Sequence, residues 1–226
     1  MSEPLRLPLT TGYEVEDAKA ELRRVIRERR RSRTAREIED FGRDFVSSGL
    51  QAVGDARTIA LYVSSGWEPP TLPLLDELYS RGVQVLLPSL GPGLARQWAV
   101  YMGSQDLTPR APSRPPEPSG PRLPADAIRN AEVIITPALA VDGLGNRLGQ
   151  GGGWYDRMLK LIDPATPTFA MVFEDELVST QALPHDDMDV AVKAVLTPLA
   201  VFLLEGSRLE RETRAAGAVY VGGHLR

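Results

Sequence analysis

Pro137-Ala-Leu-Ala-Val-Asp142-Gly-Leu-Gly145-Asn-Arg147-Leu-Gly149-Gln-Gly151-Gly-Gly153-Trp154-Tyr155-Asp156 is the stretch on which the reading of this chain turns. The apolar run Val133 to Ile135 leads into it and reads as a buried strand. Asp142-Gly143 and Gly145-Asn146 mark a turn. Tyr155, Met158, Leu159 and Ile162 then recur at helical spacing. The order is therefore strand, glycine-rich loop, helix. Glycines let a backbone take positive φ and come close to a ligand, and the first amides of a helix lack partners and carry partial positive charge. Such a loop can hold a phosphate chain. Arg147 adds a forked cationic donor suited to phosphate oxygens, and Asp156 a carboxylate that can bind magnesium shared with those phosphates. The bland alternative is that the glycines only shape a tight loop. No Gly-Lys-Ser/Thr follows, and no acidic residue stands at the spacing of a dinucleotide fingerprint, so neither common nucleotide motif is present.

Working outward, Thr58 to Val63 reads as a short apolar strand, Leu72 to Tyr79 as a helix broken by Gly82, and Val83 to Leu87 as a second strand stopped by Pro88. Strand, helix and strand in this order predict a parallel crossover unit. Glu68 lies in the loop after the first of these strands, where parallel sheets bind ligands, although a lone carboxylate there is more often plain surface. Gln97 to Met102 reads as a further, edge strand, and Thr168 to Phe173 and Ala194 to Thr197 complete the pattern. The fold class is α/β: one domain with an open, mainly parallel sheet flanked by helices, over residues 14–205. Residues 1–13 read as a loose leader and 206–226 as a peripheral tail. Thr108 to Pro124 holds seven prolines, which no helix or central strand tolerates, and is expected to be an extended surface loop.

Before the first strand, Leu22, Val25, Ile26 and Arg29 share one helical face, and Ile38, Phe41, Phe45 and Val46 form a later stripe. Between them run Arg23, Arg24, Arg27, Arg29, Arg30, Arg31, Arg33 and Arg36. Most of these are expected on a solvated face beside acids such as Glu21 and Glu28. One or two, with Lys19, are candidates to reach an anionic ligand. An RNA-binding module is a third reading, weakened by the lack of interleaved aromatics and by the net charge of -4.

With no cysteine, disulfides, thiol catalysis and cysteine-bound zinc are excluded. No apolar run reaches membrane-spanning length, and the N-terminal segment has no signal-peptide core, so a cytoplasmic protein without a membrane partner is expected. His185 and His224 are too isolated to suggest a metal site.

Gly145-Asn-Arg147-Leu-Gly149-Gln-Gly151-Gly-Gly153-Trp154-Tyr155-Asp156-Arg157 resembles the signature Gly-x-Arg-Leu-Gly-x-Gly-x-Gly-Tyr-Tyr-Asp-Arg of the 5-formyltetrahydrofolate cyclo-ligase family, also called methenyltetrahydrofolate synthetase. Weaker matches lie in the same order: Lys19-Ala-Glu-Leu22-Arg23, Glu68-Pro-Pro-Thr71, Gln84 to Pro88, and Pro184 to Asp189 with Thr197. The resemblance implies an ATP- and magnesium-dependent reaction. The formyl oxygen of 5-formyltetrahydrofolate is phosphorylated, N10 closes the ring onto the formyl carbon, and 5,10-methenyltetrahydrofolate, ADP and phosphate are released. It further implies that Lys19 and Arg23 hold the ATP phosphates, together with the loop Arg147, Leu148, Gly149, Gln150, Gly151, Gly152, Gly153, Trp154 and Tyr155. Val63, Glu68, Trp154 and Tyr155 would face the folate; Glu68, Arg147 and Tyr155 would be catalytic; Asp156 and Asp189 would hold magnesium.

The chain departs from the family pattern at Trp154 in place of tyrosine, Asp186 in place of glutamate, Met188, and Lys193 where aspartate is usual. These departures motivate an alternative, a catalytically altered paralogue that binds folate or nucleotide as a regulator. As partners the reading expects 5-formyltetrahydrofolate and ATP, no nucleic acid, and a monomer or weak homo-oligomer.

Overall fold

In the computed structural model, residues 7–112, 114–178 and 182–204 are described. The proposed tail at 206–226 lies outside them. The chain forms helices α1 (Val15–Arg31), α2 (Ala35–Val53), α3 (Leu72–Ser80) and α4 (Trp154–Leu159). Its strands are β1 (Thr58–Ala60), β2 (Gln84–Leu90), β3 (Arg96–Val100), β4 (Leu107–Thr108), β5 (Glu117–Pro118) and β6 (Val133–Pro137). They continue with β7 (Ala140–Asp142), β8 (Arg147–Leu148), β9 (Thr168–Met171), β10 (Leu177–Val178), β11 (Ala194–Leu196) and β12 (Val201–Leu203).

A seven-stranded sheet runs in the order β12-β11-β9-β6-β1-β2-β3. Its inner strands are parallel, and β12 and β3 join antiparallel at the two edges. This is the mixed, mostly parallel α/β sheet expected, with α3 crossing between β1 and β2 and β3 at an edge. Ile59, Ala60, Leu86, Ile134, Ile135, Phe169 and Leu196 fill its interior, and α2 and α3 pack on it through Phe45, Leu74 and Leu78. Thr34 begins α2 with a capping box: its hydroxyl accepts from the Glu37 amide at 3.2 Å and its own amide donates to Glu37 at 2.7 Å.

Some boundaries differ from the sequence reading. β1 is three residues long, and Leu61 to Val63 continue beyond it as buried, irregular chain. β2 passes through Pro88 instead of stopping there. Pro88 sits opposite Trp98, whose amide and carbonyl both bond Leu123, at 3.0 and 2.7 Å. That pair exchanges no ladder hydrogen bond, so proline removes none from the pairing of β2 with β3. α4 ends at Leu159, leaving Ile162 outside the helix.

The buried line of α1 is Lys19, Leu22, Ile26 and Arg30, with Arg29 at its margin. Leu22 and Ile26 pack on Leu139, Ala140 and Leu148 in a smaller core. That core belongs to a second sheet, β10-β7-β8, which carries the glycine-rich stretch. Arg30 ties the two parts together. Its guanidinium donates two 2.7 Å bonds to Glu176 and a third to the Ala138 carbonyl, with both side chains almost wholly buried.

Candidate active site

A cavity of about 650 Å³ opens where the inner strands end. Tyr62 and Val63 enter it after β1, Pro88 to Leu90 at the end of β2, and Pro137 at the end of β6. The carboxyl edge of a parallel sheet is where such folds place their ligands, because adjacent loops diverge there.

The glycine-rich loop makes one wall. Asp142, only 1% exposed, builds the turn before it. One of its oxygens accepts from the amides of Leu144 and Asn146, both at 2.9 Å, and the other from the Asn146 side chain and the Leu183 amide, both at 2.8 Å. The Asp-Gly and Gly-Asn pairs signalled a turn, but not that one carboxylate would organise it. Gly145 has φ +85° and lies so close to Val192 that a Cβ would stand 2.2 Å from its carbonyl oxygen. Gly151, at φ +105°, turns the loop back toward α4. α4 is a helix of only six residues, so the loop's own amides matter here more than any helix dipole.

Across from the loop stands α1. Lys19, Arg23 and Arg27 are four residues apart and share a face. Arg23 Nε donates to the Gly149 carbonyl at 3.0 Å, and Arg27 donates to the Gln150 side chain at 2.8 Å and to its carbonyl at 3.2 Å. Gln150 in turn donates to Glu68 at 3.1 Å, whose second oxygen accepts from the Ser65 amide at 2.9 Å. Three elements far apart in sequence are thereby joined at the cavity rim.

Lys19 is 5% exposed, and its ammonium donates to Asp186 at 2.8 Å and Asp189 at 2.7 Å. Burial works against its charge, but the two carboxylates outweigh burial and hold its pKa above the usual lysine value. Asp186 is correspondingly held below the usual aspartate value, chiefly by its hydrogen bond from Lys19. Arg147, expected at the phosphates, is paired with Asp156, expected at magnesium. Asp156 also accepts from the Val190 amide at 3.2 Å. Each of these acids thus already holds a cationic side chain. Among the described residues no group of three or more histidine, aspartate or glutamate side chains converges to bind a metal ion.

Of the other expected residues, Val63, Leu148, Gly152 and Gly153 line the cavity. Trp154 is half-buried there with its ring edge-on to Trp98, centroids 4.8 Å apart. Tyr155 is buried on the same wall. Lys193 lies off the cavity lining, its ammonium on the carbonyls of Pro164 and Thr166, so this departure from the family pattern does not enter the site.

The sequence reading missed three features. Tyr62 lines the cavity within a run that reads as plain apolar strand. Arg114 to Glu117 line it too, so part of the proline-rich segment is a cavity wall and not simply surface. Glu117 fixes that wall, accepting from Ser89 at 2.7 Å and from Arg122 at 3.1 Å. Finally, Arg29 and Arg33 pair with Asp175, and Arg30 with Glu176. Only part of the arginine-dense span therefore behaves as the expected solvated face, as Arg24 does between Glu21 and Glu28.

The model of the 5-formyltetrahydrofolate cyclo-ligase family matches residues 15–198. A 5-formyltetrahydrofolate cyclo-ligase of Mycolicibacterium smegmatis is 39% identical over 188 residues, covering 80% of this chain and 94% of that protein. One of Escherichia coli is 31% identical over 183 residues, 79% of this chain and 99% of the relative. In fold, the chain is similar to the 5,10-methenyltetrahydrofolate synthetase of Aquifex aeolicus, with a TM-score of 0.69 at 23% identity over 92% of this chain and 99% of the other.

Proposed function

The chain belongs to the 5-formyltetrahydrofolate cyclo-ligase family, and from that premise we propose that its cavity cyclises 5-formyltetrahydrofolate to 5,10-methenyltetrahydrofolate at the expense of ATP. The observation that carries the proposal is the meeting of the glycine loop, the cations of α1 and Glu68 around one cavity. ATP supplies a phosphoryl group to the formyl oxygen, which makes that oxygen a leaving group. N10 then bonds to the formyl carbon and releases its proton to water, the carbon–oxygen bond breaks, and phosphate and ADP depart.

The protein's part is positioning and neutralisation of charge, the main needs of phosphoryl transfer. Arg147 Nε is buried without a hydrogen-bond partner among the described residues, which supports an anion beside it. Lys19, Arg23 and the loop from Arg147 to Tyr155 hold the nucleotide in this reading. Glu68, held by Ser65 and Gln150, receives N–H donors of the pterin, and Val63 and Trp154 bound its ring.

The carboxylates do not fit a magnesium ion held by protein alone, since Asp156 and Asp189 are engaged by Arg147 and Lys19. They do fit an ion that arrives with the nucleotide, because magnesium needs only one or two carboxylates besides phosphate oxygens and water. The proposal includes a cytoplasmic monomer or weak homo-oligomer that does not act on nucleic acid. The pairing of Arg29, Arg30 and Arg33 with acids supports that last point, since those charges are neutralised within the fold.

Purified protein given ATP, magnesium and 5-formyltetrahydrofolate should develop the absorbance of the methenyl product. Binding of both ligands without that absorbance would favour a regulator over an enzyme.

A further inference from the structure

Two tyrosines of the cavity wall, Tyr62 and Tyr155, carry buried hydroxyls with no hydrogen-bond partner among the described residues. The residues are 4% and 8% exposed, and both line the cavity. Buried polar groups without partners are rare in folded proteins, and each calls for a role or a partner that the fold itself does not supply. The two phenols stay protonated: burial pushes each well above the usual tyrosine value, and the charge of Glu68 adds to the effect. Each is therefore available as a donor.

Their surroundings differ. The Tyr155 ring stands against Trp154, and the charge of Arg147 also reaches its hydroxyl, on the glycine-loop side. Tyr62 follows β1 and precedes Glu68 by a single turn of loop. Both residues line the cavity, and the charge of Glu68 reaches the Tyr62 hydroxyl; a carboxylate that accepts and a phenol that donates match the edge of a fused pyrimidinone, where N–H donors adjoin a carbonyl.

We propose that Tyr62 is a specificity-determining residue whose buried hydroxyl donates a hydrogen bond to the ring carbonyl of the pterin, beside the N–H groups taken by Glu68. The inference rests on the cyclo-ligase reading of the same cavity. It goes beyond that reading in assigning the residue that tells an oxo ring from an amino ring.

The test is Tyr62→Phe, which removes one oxygen and keeps the ring. Titration calorimetry would use 5-formyltetrahydrofolate, a 2,4-diaminopteridine analogue that presents an amino group in place of the carbonyl, and ATP. The expected result is a roughly three- to tenfold weaker Kd for the oxo ligand, the range of one neutral hydrogen bond. Affinities for the diamino ligand and for ATP stay unchanged. The melting temperature of the ligand-free variant is equal to or above wild type, because an unpaired buried donor has been removed.

Equal affinity of both proteins for the oxo ligand overturns the proposal, and so does an equal loss for both heterocycles. A fall in melting temperature also overturns it, by assigning the hydroxyl a structural bond. If the wild type neither binds nor cyclises 5-formyltetrahydrofolate, the cyclo-ligase reading fails and takes this inference with it. Identical behaviour of an active wild type and its variant sinks the inference alone.

Discussion

Lys19 Nζ lies 2.7 Å from Asp189 Oδ2, across 170 positions of sequence. An amine expected at phosphate and a carboxylate expected at magnesium therefore neutralise each other, and Arg147 and Asp156 repeat the arrangement. Were nucleotide and magnesium to bind together, Lys19 and Arg147 would be the cations freed to hold phosphate oxygens, and Asp189 and Asp156 the carboxylates freed to help hold the ion.

Lys19→Met should therefore weaken ATP binding by about tenfold or more, the value of one charge-assisted hydrogen bond. Affinity for 5-formyltetrahydrofolate should change little. Calorimetric titration of each ligand checks this, and an unchanged ATP affinity would remove Lys19 from the phosphate site.

The same latch has a pH signature. The Lys19 pKa is raised above 10.5, so its contribution to stability is complete below 10.5 and is lost as pH climbs through the higher folded value. The Asp186 pKa is depressed below 3.8, so its contribution is present above 3.8 and is lost as pH falls through the lower folded value. The gap in melting temperature between wild type and Lys19→Met should be flat between these limits and close outside them. A gap that changed near neutral pH would point to a different partner for Lys19.

Glu68→Gln keeps the shape of the side chain but loses its charge. It should raise the Kd for 5-formyltetrahydrofolate by about ten- to a hundredfold, as for a hydrogen bond to a charged group. ATP affinity should be preserved. Loss of both affinities would mean instead that the link from Glu68 to Gln150 holds the glycine loop in place.

Gly152 and Gly145 separate function from folding within one loop. A Cβ on Gly152 meets nothing within 4 Å, whereas one on Gly145 would lie 2.2 Å from the Val192 carbonyl. Gly152→Val should leave the melting temperature near wild type and weaken ATP binding, because the new side chain enters the cavity that Gly152 lines. Gly145→Ala should lower the melting temperature. Thermal scans with and without ATP distinguish the two, and the reverse pattern would displace the loop from its proposed role.

Arg30 and Glu176 form a buried pair with side chains 2% and 1% exposed. Removing one member leaves the other charge buried, so Arg30→Met should cost about 3–5 kcal/mol in urea denaturation. Arg30→Met combined with Glu176→Leu should recover part of that loss. A single substitution costing under about 1 kcal/mol would show that water reaches the pair.

Local patterning carried much of this protein. Apolar runs separated by glycine and proline marked the inner strands, and the long mixed signature from Gly145 to Arg157 marked the wall of the site. Glu68 stood out because it follows a strand of a parallel sheet, and it does line the cavity that opens where those strands end. All of these are properties of neighbours along the chain.

The rest depended on residues that meet only after folding. Arg30 reads as one arginine in a charged helix until Glu176, 146 positions away, closes on it. The prolines around Arg114 forbid regular structure, but only the anchoring of Glu117 to β2 turns that segment into a cavity wall. Tyr62 looks like any aromatic in a strand until folding sets it in the cavity wall with its hydroxyl buried and without a partner among the described residues. Sequence spacing determines backbone periodicity and turn chemistry, and with them the order of the elements. Burial, charge pairing and the leftover hydrogen-bonding capacity of a side chain are set by what packs against it, and that was decided in three dimensions.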